Sequence, residues 1–437
     1  MKNKWTKLAL ALWAVCSGLS GPARASDSDR LDALDQKVKI LERKLELAEE
    51  TAQEKAKTTP VVEAGKDGFL IKSPDGQFVF RLRGYVQADG RFFPGGAPAL
   101  GTSTLFLRRA RPITEATLWR YFGLRLMPDF GSGRVTLYDA YLDVRVLPAF
   151  GVRAGKTKPP IGLERLQSAT DIRFVERGLP TNLVPNRDVG FQVLGDFAGG
   201  ALSYAVGVFN GVPDIGNGDG DAANDKDLVA RLFARLGGLG FGIAASTGIE
   251  RGTLSAPGLA SYVTPGQQVL FRYRDSTVAN GRRFRVSPQA YFSTGPLGLL
   301  GEYVVSSQVV TRGVTTGQEI KHTSWQVAGS WFPTGEKASF TTVTPRRPFN
   351  PGTGAWGAVE IAARYGVIQF EDAAFPVFAN TAASVQEAQA WSAGITWHFG
   401  RAVQFAVNYE ATTFTSGGAS GNRAPEHFFV TRLQQAF

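Results

Sequence analysis

From Leu31 the apolar residues Leu31, Leu34, Val38, Leu41, Leu45, Ala48 and Ala52 recur three and four positions apart, with charged residues between them. That is the heptad spacing of a coiled-coil seam. Three heptads make too short a helix to be stable alone in water. The pattern therefore predicts a helix over residues 26–56 held by partners, most simply the identical helices of neighbouring subunits. The alternative is a single amphipathic helix resting on another surface. Residues 57–68 read as a polar linker. Beyond it the period changes from 3.5 to 2. Phe78, Phe80, Leu82, Gly84, Val86 and Ala88 share one parity, and Val79, Arg81, Arg83, Tyr85, Gln87, Asp89 and Arg91 the other. One face suits lipid and the other water.

The same split recurs along the rest of the chain. Tyr138, Ala140, Leu142 and Val144 alternate with Asp139, Tyr141, Asp143 and Arg145. Phe284, Val286, Ala290 and Phe292 alternate with Arg283, Arg285, Ser287, Gln289, Tyr291 and Ser293. Trp391, Ala393, Ile395, Trp397 and Phe399 oppose Ser392, Gly394, Thr396 and His398. About sixteen such segments can be counted, an even number that fits a closed, antiparallel all-β transmembrane barrel over residues 69–437. Short links (129–133, 147–151, 237–240, 295–299) and long polar ones (210–227, 252–268, 370–386) predict short turns on one rim and long loops on the other. A soluble β-protein would need a second sheet over its apolar faces. Aromatic residues near strand ends fit interfacial girdles instead, and Phe437 ends an alternating strand that carries Phe429 and Leu433 on its own parity.

The stretch from Arg153 to Gly190 interrupts the alternation. It carries seven basic residues by Arg187 (Arg153, Lys156, Lys158, Arg165, Arg173, Arg177, Arg187) against Glu164, Asp171 and Glu176. Pro159, Pro160, Pro180 and Pro185 bar a ladder strand or a long helix, leaving room for a short helix near residues 164–175. Structureless loops this long are uncommon unless functional. The expectation is a loop folded into the pore that favours anions; the alternative is a solvated surface loop. Arg81, Arg83, Arg145, Arg283 and Arg285 on the water-facing parity join the loop's set as candidate pore-lining residues. Each could instead pair with a wall carboxylate and brace the barrel. Lys156 and Lys158 stand out because they lie where a strand enters the loop.

Composition narrows the class. Lys2, Lys4 and Lys7, the apolar run Leu8–Val15 and Ala23-Arg24-Ala25 form an export signal over residues 1–25. Its removal lowers the formal charge from +10 by the four charges of Lys2, Lys4, Lys7 and Arg24. The only cysteine, Cys16, would leave with it, taking away disulfides, thiolate metal sites and a thiol nucleophile. No run of about 18 apolar residues follows, while a mean hydropathy of −0.10 accommodates a barrel. Export and the lack of lysine-rich tracts argue against a nucleic-acid partner. Gly151 to Thr157 misses the P-loop spacing by one residue, and the acidic loop from Asn217 to Asp227 lacks the glycine and closing glutamate of an EF-hand. His322, His398 and His427 show neither metal-ligand spacing nor a nucleophile motif nearby. No cofactor and no catalytic role are expected.

With these pieces laid out, the chain resembles the phosphate-selective porin family, the porin O and P type of Gram-negative outer membranes. The resemblance is carried by FLRRAR (106–111), MPDFGSGRVTLYDAYLD (127–143), GKTKPPIGLERLQS (155–168), NLVPNRDVG (182–190), SPQAYFSTGPLGLLGEYVVSSQ (287–308), PTGEKASF (333–340), WGAVEIAARYG (356–366) and the terminal RLQQAF. It implies a homotrimer of sixteen-stranded barrels in outer-membrane lipid, an inward third loop narrowing each pore, and basic residues with some tyrosines lining a path for phosphate and related small anions. A general diffusion porin with an anion bias, and a tether acting through periplasmic contacts of the N-terminal helix, are the alternatives.

Overall fold

The computed structural model describes residues 27–65, 68–94, 101–220 and 224–437; the expected export signal lies outside them. The chain divides into two units, Met1–Thr59 and Pro60–Phe437. The described part of the first is one helix, α1 (Asp27–Thr58), with Lys55 and Lys57 in its last turn, where cations complement the helix dipole. Pro60, which disfavours helical geometry at the residue before it, follows directly.

The second unit is a closed barrel of sixteen antiparallel strands. They are β1 (Val79–Phe92), β2 (Thr104–Leu118), β3 (Phe122–Asp129), β4 (Thr136–Leu147), β5 (Phe150–Thr157), β6 (Asp188–Phe197), β7 (Leu202–Phe209) and β8 (Asp227–Leu236). The second half is β9 (Leu239–Arg251), β10 (Thr277–Thr294), β11 (Leu297–Arg312), β12 (Thr315–Trp331), β13 (Ala358–Gln369), β14 (Val385–His398), β15 (Val403–Gly418) and β16 (Glu426–Ala436). Closure comes from β16 on β1, with Phe429 opposite Phe92 and Ala436 opposite Tyr85. The Phe437 backbone extends the pairing to Gly84. Closing removes most of the sheet edge and with it the unpaired rows of backbone donors along those strands.

The alternation settles which side faces lipid. On β14, Trp391 and Ile395 are exposed while Ser392, Thr396 and His398 are buried. Outward aromatics gather in two belts, with Trp325, Tyr365, Trp391 and Tyr409 in one and Trp119, Phe122 and Trp397 in the other. Trp391 and Trp397 are six residues apart, about 20 Å along a strand, which suits an apolar band about 25 Å tall.

Four details depart from the sequence expectations. Part of the expected linker is a hairpin, Val61–Gly65 against Gly68–Lys72, whose second strand pairs with β1 from Phe69 opposite Leu82 to Lys72 opposite Val79. It covers the edge of β1 that β16, ending at Tyr85, leaves open. The short link at 130–135 lies on the rim of the long loops, because it joins the ends of β3 and β4 opposite the turn at 148–149. One long connection, 332–357, belongs to the short-turn rim. The helix expected near 164–175 is a single turn, Leu163–Leu166, since Lys158 Nζ and Arg177 draw on the Leu166 and Gln167 carbonyls.

The parity rule also fails where bulges shift the register, and two of these bulges re-aim cavity residues. Gln87 pairs with Arg109 but Ala88 with Leu107, leaving Arg108 as the extra residue. Met127 pairs with Asp139 but Pro128 with Leu137, leaving Tyr138 extra. A bulge turns one more side chain to a face than alternation allows. Tyr138, on the lipid parity by counting, therefore lies at the central cavity together with Asp139 and Tyr141.

The apolar core is inside the barrel. Ile161, Leu179, Leu183 and Val184 of the segment between β5 and β6 pack on wall residues Phe209, Val304 and Ile368 and on Tyr262, Leu270, Phe271 and Phe378 from two long loops. The segment from Lys158 to Arg187 is thereby held within the lumen as an inner loop.

Candidate functional site

Backbone donors and wall acceptors fix this loop. The Leu163 N–H donates to Glu302 Oε2 of β11 at 2.7 Å, and the Gly178 N–H donates to Glu164 Oε2 at 2.8 Å. Gln326 Nε2 of β12 bridges the two carboxylates, at 2.8 Å from Glu302 and 3.0 Å from Glu164. The Val175 N–H reaches Asn408 Oδ1 at 2.7 Å. From the short-turn rim the 332–357 connection meets the same loop: Gln167 Nε2 donates to the Phe340 carbonyl at 2.7 Å and Thr342 Oγ1 to Asp171 Oδ1 at 2.9 Å. Phe340 stacks on Tyr291 of β10 with ring centres 4.2 Å apart.

What these segments leave open is a cavity of about 1180 Å³ that runs from Phe399 and Phe437 at the short-turn rim, past the inner loop, to Ile215 and Thr264 on the long-loop side. Fourteen arginines and lysines line it against five Asp and Glu side chains. The lining therefore carries an excess of formal positive charge.

The basic residues fall into two groups by partner. Arg83 pairs with Glu115, Arg153 with Asp143, Arg173 with Glu360 and Arg187 with Asp139, at 2.8, 2.7, 3.4 and 2.6 Å. Arg108, in turn, is bound to Glu176 at 2.7 Å. Burial disfavours the charge on Glu176, but Arg108 outweighs it and holds the carboxyl below its usual range. Lys158, Arg165 and Arg177 are held differently. Lys158 Nζ donates to the Leu166 and Gln167 carbonyls at 3.1 and 2.7 Å. Arg165 donates to the Thr181 carbonyl at 2.6 Å and to Asn186 Oδ1 at 3.3 Å. Arg177 donates to the Glu164 and Gln167 carbonyls at 3.1 and 2.9 Å. Among the described residues, none of the three has a carboxylate within ion-pair distance. Burial, then the charges of Arg187 and Arg177, push Lys158 well below its ordinary value. Burial, then Arg177 and Arg187, bring Arg165 down to about 9. Arg165 Nε is buried and has no hydrogen-bond partner.

On the wall, Arg235 and Arg231 climb β8 from the short-turn rim towards this cluster. They are held by the Gly200 carbonyl at 3.2 Å and Gln289 Oε1 at 3.0 Å. Arg109 of β2 likewise donates to Gln87 Oε1 at 2.7 Å. These cations also bond to neutral oxygens.

Of the twelve residues singled out from sequence, Arg83, Arg153, Lys158, Arg165, Arg173, Arg177 and Arg187 line the cavity. The other five do not. Lys156 is buried in the wall and pairs with Asp219. Arg283 pairs with Asp227 and Glu250, and Arg285 with Asp214 and Asp227, all within 3.1 Å. These two arginines also hold residues 211–214, Arg283 through the Gly211 carbonyl and Arg285 through the Val212 carbonyl, and Asp214 also accepts from Ser306 and Tyr262. Arg145 sits near the rim, 3.9 Å from Asp196, and Arg81 lies outside the cavity lining beside the N-terminal hairpin. Inward parity admits an arginine to the lumen side of the wall, but the folded loops decide whether it meets water. Arg108, Arg109, Arg111, Arg125 and Tyr138 line the cavity without having been singled out. Arg111 stands 3.8 Å from the centre of the Tyr138 ring, and Arg187 stands 5.3 Å from it. The doubled arginine of FLRRAR was the available signal, since two consecutive inward arginines require a bulge.

A closed sixteen-stranded barrel with an apolar outer band, an inward-folded loop and a basic axial cavity is the architecture of an outer-membrane porin. The chain belongs to the phosphate-selective porin O and P family, whose model matches residues 80–437. It is 25% identical over 426 residues to Porin O of Pseudomonas aeruginosa, covering 85% of this chain and 91% of that one. Among solved structures, the outer membrane channel DcaP of Acinetobacter baumannii superposes with a TM-score of 0.55 at 11% identity, covering 86% of this chain and all of that one. OmpT of Vibrio cholerae gives 0.54 at 13% identity, covering 83% and 98%. The anion-selective porin from Comamonas acidovorans gives 0.52 at 13% identity, covering 82% and 100%. These likenesses concern the fold.

Proposed function

We propose that this outer-membrane porin is a passive, anion-selective channel for phosphate or polyphosphate-type oxyanions, exported by residues 1–25 and assembled as a homotrimer. The observation that carries the reading is the cluster of Lys158, Arg165 and Arg177, fixed by carbonyl and amide oxygens and not neutralised by carboxylates. Neutral acceptors fix each cation's position without cancelling its charge. Phosphate brings charge and several acceptor oxygens; guanidinium forks meet it bidentately and lysine acts as a point charge. An entering anion relieves the repulsion among the three. Arg231 and Arg235 continue the series towards the short-turn rim, so the ion exchanges one set of donors for the next. Conduction needs such repeated sites, favourable enough to enter and weak enough to leave. The family's description as phosphate-selective and the likeness to Porin O support phosphate as the solute.

The test is the reversal potential of the purified protein in a planar bilayer across a potassium chloride gradient, followed by phosphate titration. An anion-selective current that phosphate blocks, with both properties lost when Lys158, Arg165 and Arg177 are all changed to Gln, is the expected result. Weak selectivity without block would replace the proposal with a general diffusion porin.

A further inference from the structure

Helix α1 is exposed along its described length, including Leu31, Leu34, Val38, Leu41 and Leu45, each between 46% and 67% exposed. Among the described residues of its own unit, none covers this stripe. With Leu31, Val38, Leu45 and Ala52 at heptad position a and Leu34, Leu41 and Ala48 at d, the flanking positions sort by charge. Arg30, Lys37 and Lys44 occupy g, and Asp35, Glu42 and Glu49 occupy e. One flank is basic and the other acidic over three heptads.

From this we infer that α1 binds the α1 helices of other copies of this chain, side by side, parallel and in register. In a parallel bundle each g residue faces the e residue that begins the next heptad of its neighbour, and such pairs set partner and orientation. Arg30 then meets Asp35, Lys37 meets Glu42, and Lys44 meets Glu49 of the adjacent copy. An antiparallel bundle would set g against g and e against e, base on base and acid on acid. A shift by one heptad would forfeit one of the three pairs on each flank and strip Leu31 or Ala52 of its apolar counterpart. The ion pairs the helix makes within itself, Lys39 with Asp35 at 2.7 Å and Arg43 with Glu46 at 2.9 Å, use positions b and f for their cations. They leave the g row for the neighbour and, of the e row, engage only Asp35, which keeps a second carboxylate oxygen for Arg30 of the adjacent copy. The seam from Leu31 to Ala52 is about 33 Å long at 1.5 Å per residue. At that length an isolated helix is marginal in water, so association and helix formation reinforce one another.

The experiment uses the full-length protein, purified in detergent, with Cys16 replaced by Ala and one cysteine placed on the helix. Under mild oxidation Leu34→Cys, at d, is expected to yield disulfide-linked chains, and Gln36→Cys, at the outward position f, about tenfold less. Adding Arg30→Glu, Lys37→Glu and Lys44→Glu to Leu34→Cys makes both flanks acidic and should abolish the crosslink. Adding Asp35→Lys, Glu42→Lys and Glu49→Lys to that variant restores opposite flanks and should restore the crosslink. Channel conductance, recorded for every variant, reports that the barrel has folded. Equal crosslinking at Leu34→Cys and Gln36→Cys would overturn the inference. So would a Leu34→Cys yield indifferent to the g-row reversal, or crosslinking that instead joins Leu34→Cys to Ala48→Cys.

Discussion

Arg283 and Arg285 of β10 are buried and Lys158, Arg165 and Arg177 of the inner loop are half-buried, and these cations of one barrel have opposite surroundings. The wall pair is matched to Asp214, Asp227 and Glu250, and residues 211–214 fold against it. The loop set faces the cavity and is held by neutral oxygens. A buried cation with a carboxylate is a structural cross-link whose worth appears when one partner is removed. A cation fixed by carbonyls keeps its field for whatever enters. The partner, more than the residue type or its parity, separates a brace from a binding group.

The largest effect expected from breaking this contrast is on the wall side. Asp214→Ala leaves Arg285, which is 1% exposed, without its main counter-charge and should cost about 3–5 kcal/mol. A lowered unfolding midpoint in heat or urea, with ion selectivity kept in the folded fraction, would establish this; an unchanged midpoint would contradict the brace.

On the loop side, changing Lys158 or Arg165 singly to Gln should weaken phosphate block by about tenfold or more, as expected for losing a charge-assisted hydrogen bond. The same changes should leave the unfolding midpoint level or slightly raised, since repulsion is relieved. A fall in stability with block intact would reverse the two roles.

The loop's anchor comes next. Glu302→Ala removes the acceptor for the Leu163 N–H and should cost about 1–3 kcal/mol. Conductance noise should rise as the inner loop loosens; quiet single-channel traces would tell against the anchor.

Acidity sharpens the comparison further. Arg165 is a cation whose value burial and then Arg177 and Arg187 push down to about 9, so its charge is complete below that value and is lost as pH rises through it. Block by sulfate, a dianion throughout this range, should therefore weaken between about pH 8 and pH 10. A flat profile would show that the cluster stays charged. The smallest effect belongs to Lys156→Gln, because Lys156 pairs with Asp219 away from the cavity lining. Selectivity should stay at the wild-type value, and a loss matching that of Lys158→Gln would move Lys156 back to the pore.

Alternation alone predicted the all-β barrel, the strand count and the lipid face, because a strand between lipid and water must repeat with period two. Four prolines and seven basic residues marked the inner loop in the same way. Heptad spacing located α1. These are local constraints, written into neighbouring residues.

Which basic residues meet the cavity was decided only by folding. Arg285 and Arg165 are both arginines on plausible sites, and what separates them is that Asp214, 71 positions before Arg285, arrives beside it while Arg165 receives the Thr181 carbonyl. Tyr138 and Arg108 entered the lumen through bulges whose position depends on the partner strand's register. The 332–357 connection closed on the inner loop from the opposite rim through contacts across more than 150 residues of chain, such as Gln167 with Phe340. Sequence carries side-chain period and charge because each is a property of the local chain. The pairing of buried charges is a property of distant segments brought together, and only the tertiary structure could assign it.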